Sequence, residues 1–132
     1  MKTIENLPRI AFGTWSIGGG DSWGKNDENE SINALSAAID LGFTYFDTAP
    51  AYGNGLSETL LGKVIKGRRD KVFVATKCGL EWGESGSMLH KERDGVKVWR
   101  NLKRDAIKRQ VEASLKRLDT DYVDVLLTHW QC

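Results

Sequence analysis

The 132-residue sequence predicts an α/β fold in which a parallel sheet carries helices along its outside. Two observations lead there. Short apolar runs alternate with stretches of helical apolar spacing in the order β-α-β-α-β-α-β, and such alternation implies right-handed crossovers between parallel strands. Ionisable residues also fall at the C-terminal ends of three successive strands, the side on which α/β proteins bind ligands. The length suits one domain and is too short for a complete eight-stranded parallel barrel, which takes ~250 residues.

The elements follow in order. The run IAFGTWSIG from Ile10, rich in β-branched and aromatic types, predicts a first strand leading into the loop Gly18-Gly19-Gly20. Asp27-Glu28-Asn29-Glu30 places acceptors at a helix start, where backbone N–H groups lack partners. Ile32, Leu35 and Ile39 then recur at helical spacing, and Gly42 suits a left-handed cap. Phe43 to Ala49 forms the second strand, ending in Asp47-Thr48-Ala49-Pro50. Ser57 is the expected N-cap of a helix whose buried face is Leu60, Leu61, Val64 and Ile65. Lys71 to Cys78 is the third strand, and Tyr122 to Trp130 the fourth. Between them lies a helix with the apolar stripe Ile107, Val111, Leu115 and Leu118. The one long interruption, residues 80–101 after the third strand, carries Asp94-Gly95 between two short apolar-containing runs, a hairpin-turn signal. A long excursion from a strand's C-terminal end favours a lid or a substrate-facing surface.

Composition narrows the function classes. With 19 Lys+Arg against 18 Asp+Glu the net charge is +1, which argues against nucleic acid or an anionic membrane as the main partner. No run approaches the ~18 apolar residues of a membrane span, and MKTIENLPRIAF lacks the apolar core of a signal peptide. Cys78 and Cys132 are too few for a disulfide framework or a zinc site, so a reduced, cytoplasmic chain with no metal is expected. No G-x-G-x-x-G, Walker or metalloprotease motif occurs. Lys66-Gly67-Arg68-Arg69 is expected to be a solvated helix end, Lys116 and Arg117 part of the wet face of the third helix, and His90 a lone loop histidine.

The chemistry collects on one rim. Asp47 closes the second strand, Lys77 the third and His129 the fourth, while Tyr52 lies on the loop just beyond Asp47. Adjacent strands run ~4.8 Å apart, so a carboxylate and an ammonium on neighbours can meet. An ammonium beside a phenol favours its ionised form and lowers its pKa from ~10, which suits the phenol to give a proton to a developing alkoxide. Asp47 would hold Lys77 charged and aimed, and His129 could hydrogen-bond the same oxygen. This is equipment for reducing a carbonyl, and since no side chain supplies hydride, a nicotinamide or flavin is implied. Two alternatives use the same residues differently: Lys77 as a Schiff-base nucleophile of a lyase or aldolase, or a non-catalytic barrel fragment that associates through its open edges.

Gly42–Gly62 (GFTYFDTAPAYGNGLSETLLG), Ala75–Trp82 (ATKCGLEW) and Gln110–Trp130 (QVEASLKRLDTDYVDVLLTHW) resemble the aldo-keto reductase family, and Phe12–Gly20 fits its first strand. The resemblance spans nearly the whole chain in the correct order. It implies a parallel (β/α)8 TIM-barrel type, of which this chain holds about the first four strands and three helices, a half barrel. It also implies NADP-preferring reduction of aldehydes and ketones. By motif, Asp47, Tyr52, Lys77 and His129 would form the catalytic tetrad with Tyr52 as general acid. Gly13, Thr14, Trp15 and Asp47 would lie at the NADP(H) nicotinamide, and Trp15, Tyr52, Trp82, His129 and Trp130 at the substrate. In the family, strands five to eight supply most of the pocket for the cofactor's phosphates and adenine. The isolated chain is therefore expected to bind NADPH weakly, to have little activity, and to self-associate or pair with a complementary half barrel.

Overall fold

The computed structural model describes residues 3–20, 22–82, 88–93 and 95–130. Four parallel strands, β1 (Phe12–Gly13), β2 (Tyr45–Asp47), β3 (Phe73–Cys78) and β7 (Val125–Thr128), form one sheet in the order β1-β2-β3-β7. Helices α1 (Glu28–Asp40), α2 (Leu56–Ile65) and α3 (Arg104–Leu118) make the three crossovers. A partial barrel results, with its first strand at one edge and its fourth at the other. The first strand is shorter than the run of apolar and aromatic types suggested, because Ser16–Gly18 coils into a 3-10 turn.

The long excursion after β3 is a second, antiparallel sheet. Strands β4 (Leu80–Trp82), β5 (Met88–Arg93) and β6 (Val96–Arg100) pair in the order β4-β6-β5. Gly95 has φ 75°, and β5 pairs with β6 as far as Arg93 and Val96; the Asp94 of the expected turn, residues 83–87 and Cys132 lie outside the described residues.

The core sits between the parallel sheet and its helices. Phe46 and Val74, whose side chains leave the sheet on the helix side, meet Leu35 of α1, Leu60, Leu61 and Ile65 of α2, and Leu118 of α3. Asp27 caps α1 as expected, its carboxylate accepting from the N–H groups of Asn29 (2.9 Å) and Glu30 (3.0 Å). The cap of α2 is different. Gly55, not Ser57, holds that position, and Ser57 is drawn wholly into the interior. The face of α3 is also turned from the apolar stripe, burying Ala106, Gln110, Ser114 and Leu118. Small residues at the contact explain this: a Cβ on Gly62 would lie 2.7 Å from the Leu118 backbone, so α2 and α3 touch nearly backbone to backbone. Polar atoms along that seam are satisfied locally. Gln110 accepts from the Gly79 N–H at 2.6 Å and donates to the Asn101 carbonyl at 3.0 Å, pinning both ends of the second sheet.

Two expected surface cations are structural. Arg69 donates to Asp124 at 2.7 Å and lies over the Tyr122 ring, in place of a solvated helix end. Arg117 is not on the wet face of α3: its Nε donates at 2.6 Å to Glu58, which is completely buried and also accepts from the Thr76 hydroxyl at 2.6 Å. At the open edge, Leu126 and Leu127 on opposite faces of β7 are both 42% exposed. No described helix is long and apolar enough to cross a membrane, and no group of described residues could hold a metal ion.

Candidate active site

The rim residues meet as the strand pattern requires. Register places Gly13 beside Asp47, Asp47 beside Ala75, and Lys77 beside Leu127, so the C-terminal ends of β1, β2, β3 and β7 form one opening. The Lys77 ammonium donates to both Asp47 oxygens at 2.8 Å, to the Thr48 carbonyl at 2.9 Å and to the Tyr52 hydroxyl at 3.2 Å. Its three N–H groups are shared among these four acceptors, which fix its position closely. The same ammonium lies 4.8 Å from the centre of the Tyr52 ring. His129, the first residue after β7, stands edge-on to that ring with centroids 5.7 Å apart. Its backbone N–H continues the strand pairing by donating to the Cys78 carbonyl at 2.8 Å.

Tyr52 owes its place to two glycines. A Cβ on Gly18 would lie 2.5 Å from the Tyr52 carbonyl carbon, and Gly53 has φ +62° against the Gly18 backbone. Only glycine at both positions lets the loop after β1 seat the Tyr52 loop this tightly. Beneath it, Thr48, Ser57, Thr14 and Asp47 form one hydrogen-bonded chain. The Ser57 hydroxyl lies 2.7 Å from Thr14 Oγ1 and 2.9 Å from the Thr14 carbonyl and shares its hydrogen between them, Thr14 donates to the Asp47 carbonyl at 3.0 Å, and the Thr48 hydroxyl meets Ser57 at 3.0 Å. Ser57 has one hydrogen to give, so Thr48 is the donor to it. This is why Ser57 is drawn inward: it ties β1, β2 and α2 together beneath Asp47 and Tyr52.

The imidazole of His129 is neutral near pH 7. Burial, and then the Lys77 ammonium, push its pKa down to about 4 against a smaller opposing effect of Asp47. A neutral ring next to a charged lysine can offer an N–H to an oxygen without adding a second positive charge.

A cleft of about 250 Å³ opens over these groups, lined by Trp15, Ala51, Tyr52, Leu80, His90, Lys91, His129 and Trp130. Trp15 is half-exposed and stacks on Tyr52 with centroids 6.2 Å apart. Trp130 stacks beside His129 at 6.5 Å. Gly13 lies at the rim, where an added Cβ would meet nothing within 4 Å. Two expected site residues are placed elsewhere. Thr14 is wholly buried, with its hydroxyl committed beneath the site. Trp82 lines a separate cavity of about 220 Å³ with Glu81, Arg109 and Arg117, and does not wall the cleft. Conversely, the expectation that His90 is an isolated loop histidine fails, because β5 carries it into the cleft wall, 5.1 Å from the Trp130 ring.

The strand ends of this half barrel thus gather a lysine, a carboxylate, a phenol and an imidazole around one opening. The chain belongs to the aldo/keto reductase family, whose model matches residues 9–131. It is 47% identical over 124 residues to an aldo-keto reductase, YhdN, of Bacillus subtilis, covering 92% of this chain and 34% of that protein. It is 42% identical over 131 residues to an NADH-specific methylglyoxal reductase of Escherichia coli, covering 98% and 40%. Among solved structures, a glycerol dehydrogenase from Gluconobacter oxydans superposes with a TM-score of 0.78 at 37% identity, covering 96% of this chain and 36% of that one. An aldo-keto reductase from Klebsiella pneumoniae in complex with NADPH gives 0.69 at 32%, covering 96% and 36%. The chain thus spans 34% and 40% of the length of the two curated relatives.

Proposed function

We propose that this chain carries the proton-donating half of an NADPH-dependent reductase of aldehydes and ketones, with Tyr52 as the general acid. The observation that carries the reading is the Lys77 ammonium held between the Asp47 carboxylate at 2.8 Å and the Tyr52 hydroxyl at 3.2 Å. The positive charge beside the phenol stabilises negative charge on its oxygen as the proton leaves. Asp47 and the Thr48 carbonyl hold that charge in place, so little reorganisation is needed during reaction. Neutral His129, beside the Tyr52 ring, donates an N–H to the same carbonyl oxygen and orients the carbonyl.

The nicotinamide supplies hydride to the carbonyl carbon when bound. Gly13, beside which there is open space, the half-exposed Trp15 and Asp47 are the residues that would hold its ring. This chain's residues deliver the proton and orient the oxygen, with the Trp15 and Trp130 rings flanking the cleft. The lyase reading is disfavoured by the same geometry: a Schiff-base lysine must be a neutral nucleophile, and Lys77 is enclosed by a carboxylate and two further oxygen acceptors.

The test joins the 132 residues to the remaining strands of the Bacillus subtilis relative and follows NADPH oxidation with an aromatic aldehyde. Turnover is expected, and Tyr52→Phe is expected to lower it by about 10²–10⁴, the range for a lost general acid. Full activity of the Phe variant, or borohydride trapping of the carbonyl compound on Lys77, overturns the assignment. The 132-residue chain alone is expected to turn over little.

A further inference from the structure

The β5–β6 hairpin brings two basic residues to the cleft by a departure from regular strand geometry. Leu89 pairs with Trp99 and Lys91 with Val98, so His90 is an extra, bulged residue between them. In a regular strand, neighbours point to opposite faces. The bulge re-aims this segment, and both His90 and Lys91 line the cleft over Tyr52 and His129. Arg100, across the hairpin, stands over the Trp130 ring at 5.2 Å and donates its Nε–H to His90 Nδ1 at 3.3 Å. With Nδ1 accepting, the neutral imidazole carries its hydrogen on Nε2 and is a donor there.

The charge balance of the cleft is one-sided. The Asp47 carboxylate is matched by the Lys77 ammonium. Glu92, next to Lys91 in sequence, faces Lys97 at 3.8 Å. Lys91 is the one charged residue among the described residues lining the cleft, and no described acidic side chain lines it. The remaining walls include Trp15, Tyr52, Trp130, Leu80 and Ala51, and Lys91 stands exposed at their edge, so a charge pair there is partly solvated.

We propose that this cleft selects carbonyl compounds bearing a carboxylate, with Lys91 as the counter-charge and His90 as a hydrogen-bond donor to it. The proposal rests on the reductase reading and adds the substrate class. A purely neutral carbonyl would leave the Lys91 side of the cleft unused, whereas a carboxylate there keeps the aldehyde or ketone end toward Tyr52 and His129.

The test is NMR titration of the 132-residue chain with 4-formylbenzoate and with its neutral counterpart 4-formylbenzamide, read at the His90 and His129 ring signals. The carboxylate is expected to bind about fivefold more tightly, the size of a partly exposed ion pair, and added salt should shrink the preference. Lys91→Met is expected to abolish it, Lys91→Arg to retain it and Lys91→Glu to reverse it. Equal binding of the two compounds by the unsubstituted chain overturns the proposal. So does a preference that survives Lys91→Met, or the absence of binding at these two rings. Carbonyl reduction is measured separately in the joined protein, so a carboxylate preference without turnover would sink the reductase reading and leave the anion site standing.

Discussion

Replacing Arg117 by methionine tests how the scaffold beneath the site is held. Among the described residues Glu58 is the one charged side chain sealed in the interior, 0% exposed, and that of Arg117 is 24% exposed. Removing one partner of a buried pair costs ~3–5 kcal/mol, because the other charge stays desolvated without compensation. Here the cost belongs at the lower end, about 3 kcal/mol, since the Thr76 hydroxyl still donates to Glu58 and Arg117 is partly wet. Set against ~5–15 kcal/mol for a whole domain, such a loss is large. Adding Glu58→Gln to Arg117→Met removes the stranded charge while keeping an acceptor for Thr76, and is expected to restore about half of the loss. Urea denaturation followed by tryptophan fluorescence gives both values. If Arg117→Met costs under about 0.5 kcal/mol, or the double variant is less stable than the single one, the buried pair is not what joins α2 to α3.

Two other outcomes follow from the same structure. His129 has its folded pKa at about 4, below the ~6.5 of an unfolded histidine. Its contribution to stability is therefore full above about pH 6.5 and is lost as pH falls toward 4, because only the unfolded chain takes up the proton readily. The urea midpoint should drop across that window and the ring signals should stay those of a neutral imidazole until its lower end; an imidazolium at pH 6 refutes this. Leu126 and Leu127, 42% exposed on the two faces of the edge strand β7, should drive self-association. Light scattering at micromolar concentration is expected to show oligomers, and a cooperatively melting monomer would count against it.

The parallel order and the rim were legible because both rest on local pattern. Apolar runs ending in Asp47, Lys77 and His129 need only the strand period and the rule that parallel neighbours share a C-terminal side. What escaped the sequence depends on contacts across long separations. Ser57 looks like a helix cap until Thr14, 43 residues away, is seen to take its hydrogen. Arg117 looks like part of a wet face because its partner Glu58 lies 59 residues back, itself hidden in an otherwise polar helix start. The rotated face of α3 follows from Gly62 on the facing helix, which no periodicity within α3 records. His90 and Lys91 were unreadable as a pair because alternation should separate them, and a bulge leaves only a weak local trace.

The central claim is that a carbonyl oxygen is held jointly by the Tyr52 hydroxyl and the His129 imidazole. A crystal structure of the chain joined to the remaining strands of a relative, with NADP+ and an aldehyde-mimicking amide bound, measures this directly. The account predicts the amide oxygen within hydrogen-bond distance, about 2.6–3.2 Å, of both groups. An amide oxygen bound elsewhere in the cleft, with Tyr52 and His129 making no contact to it, would contradict the account.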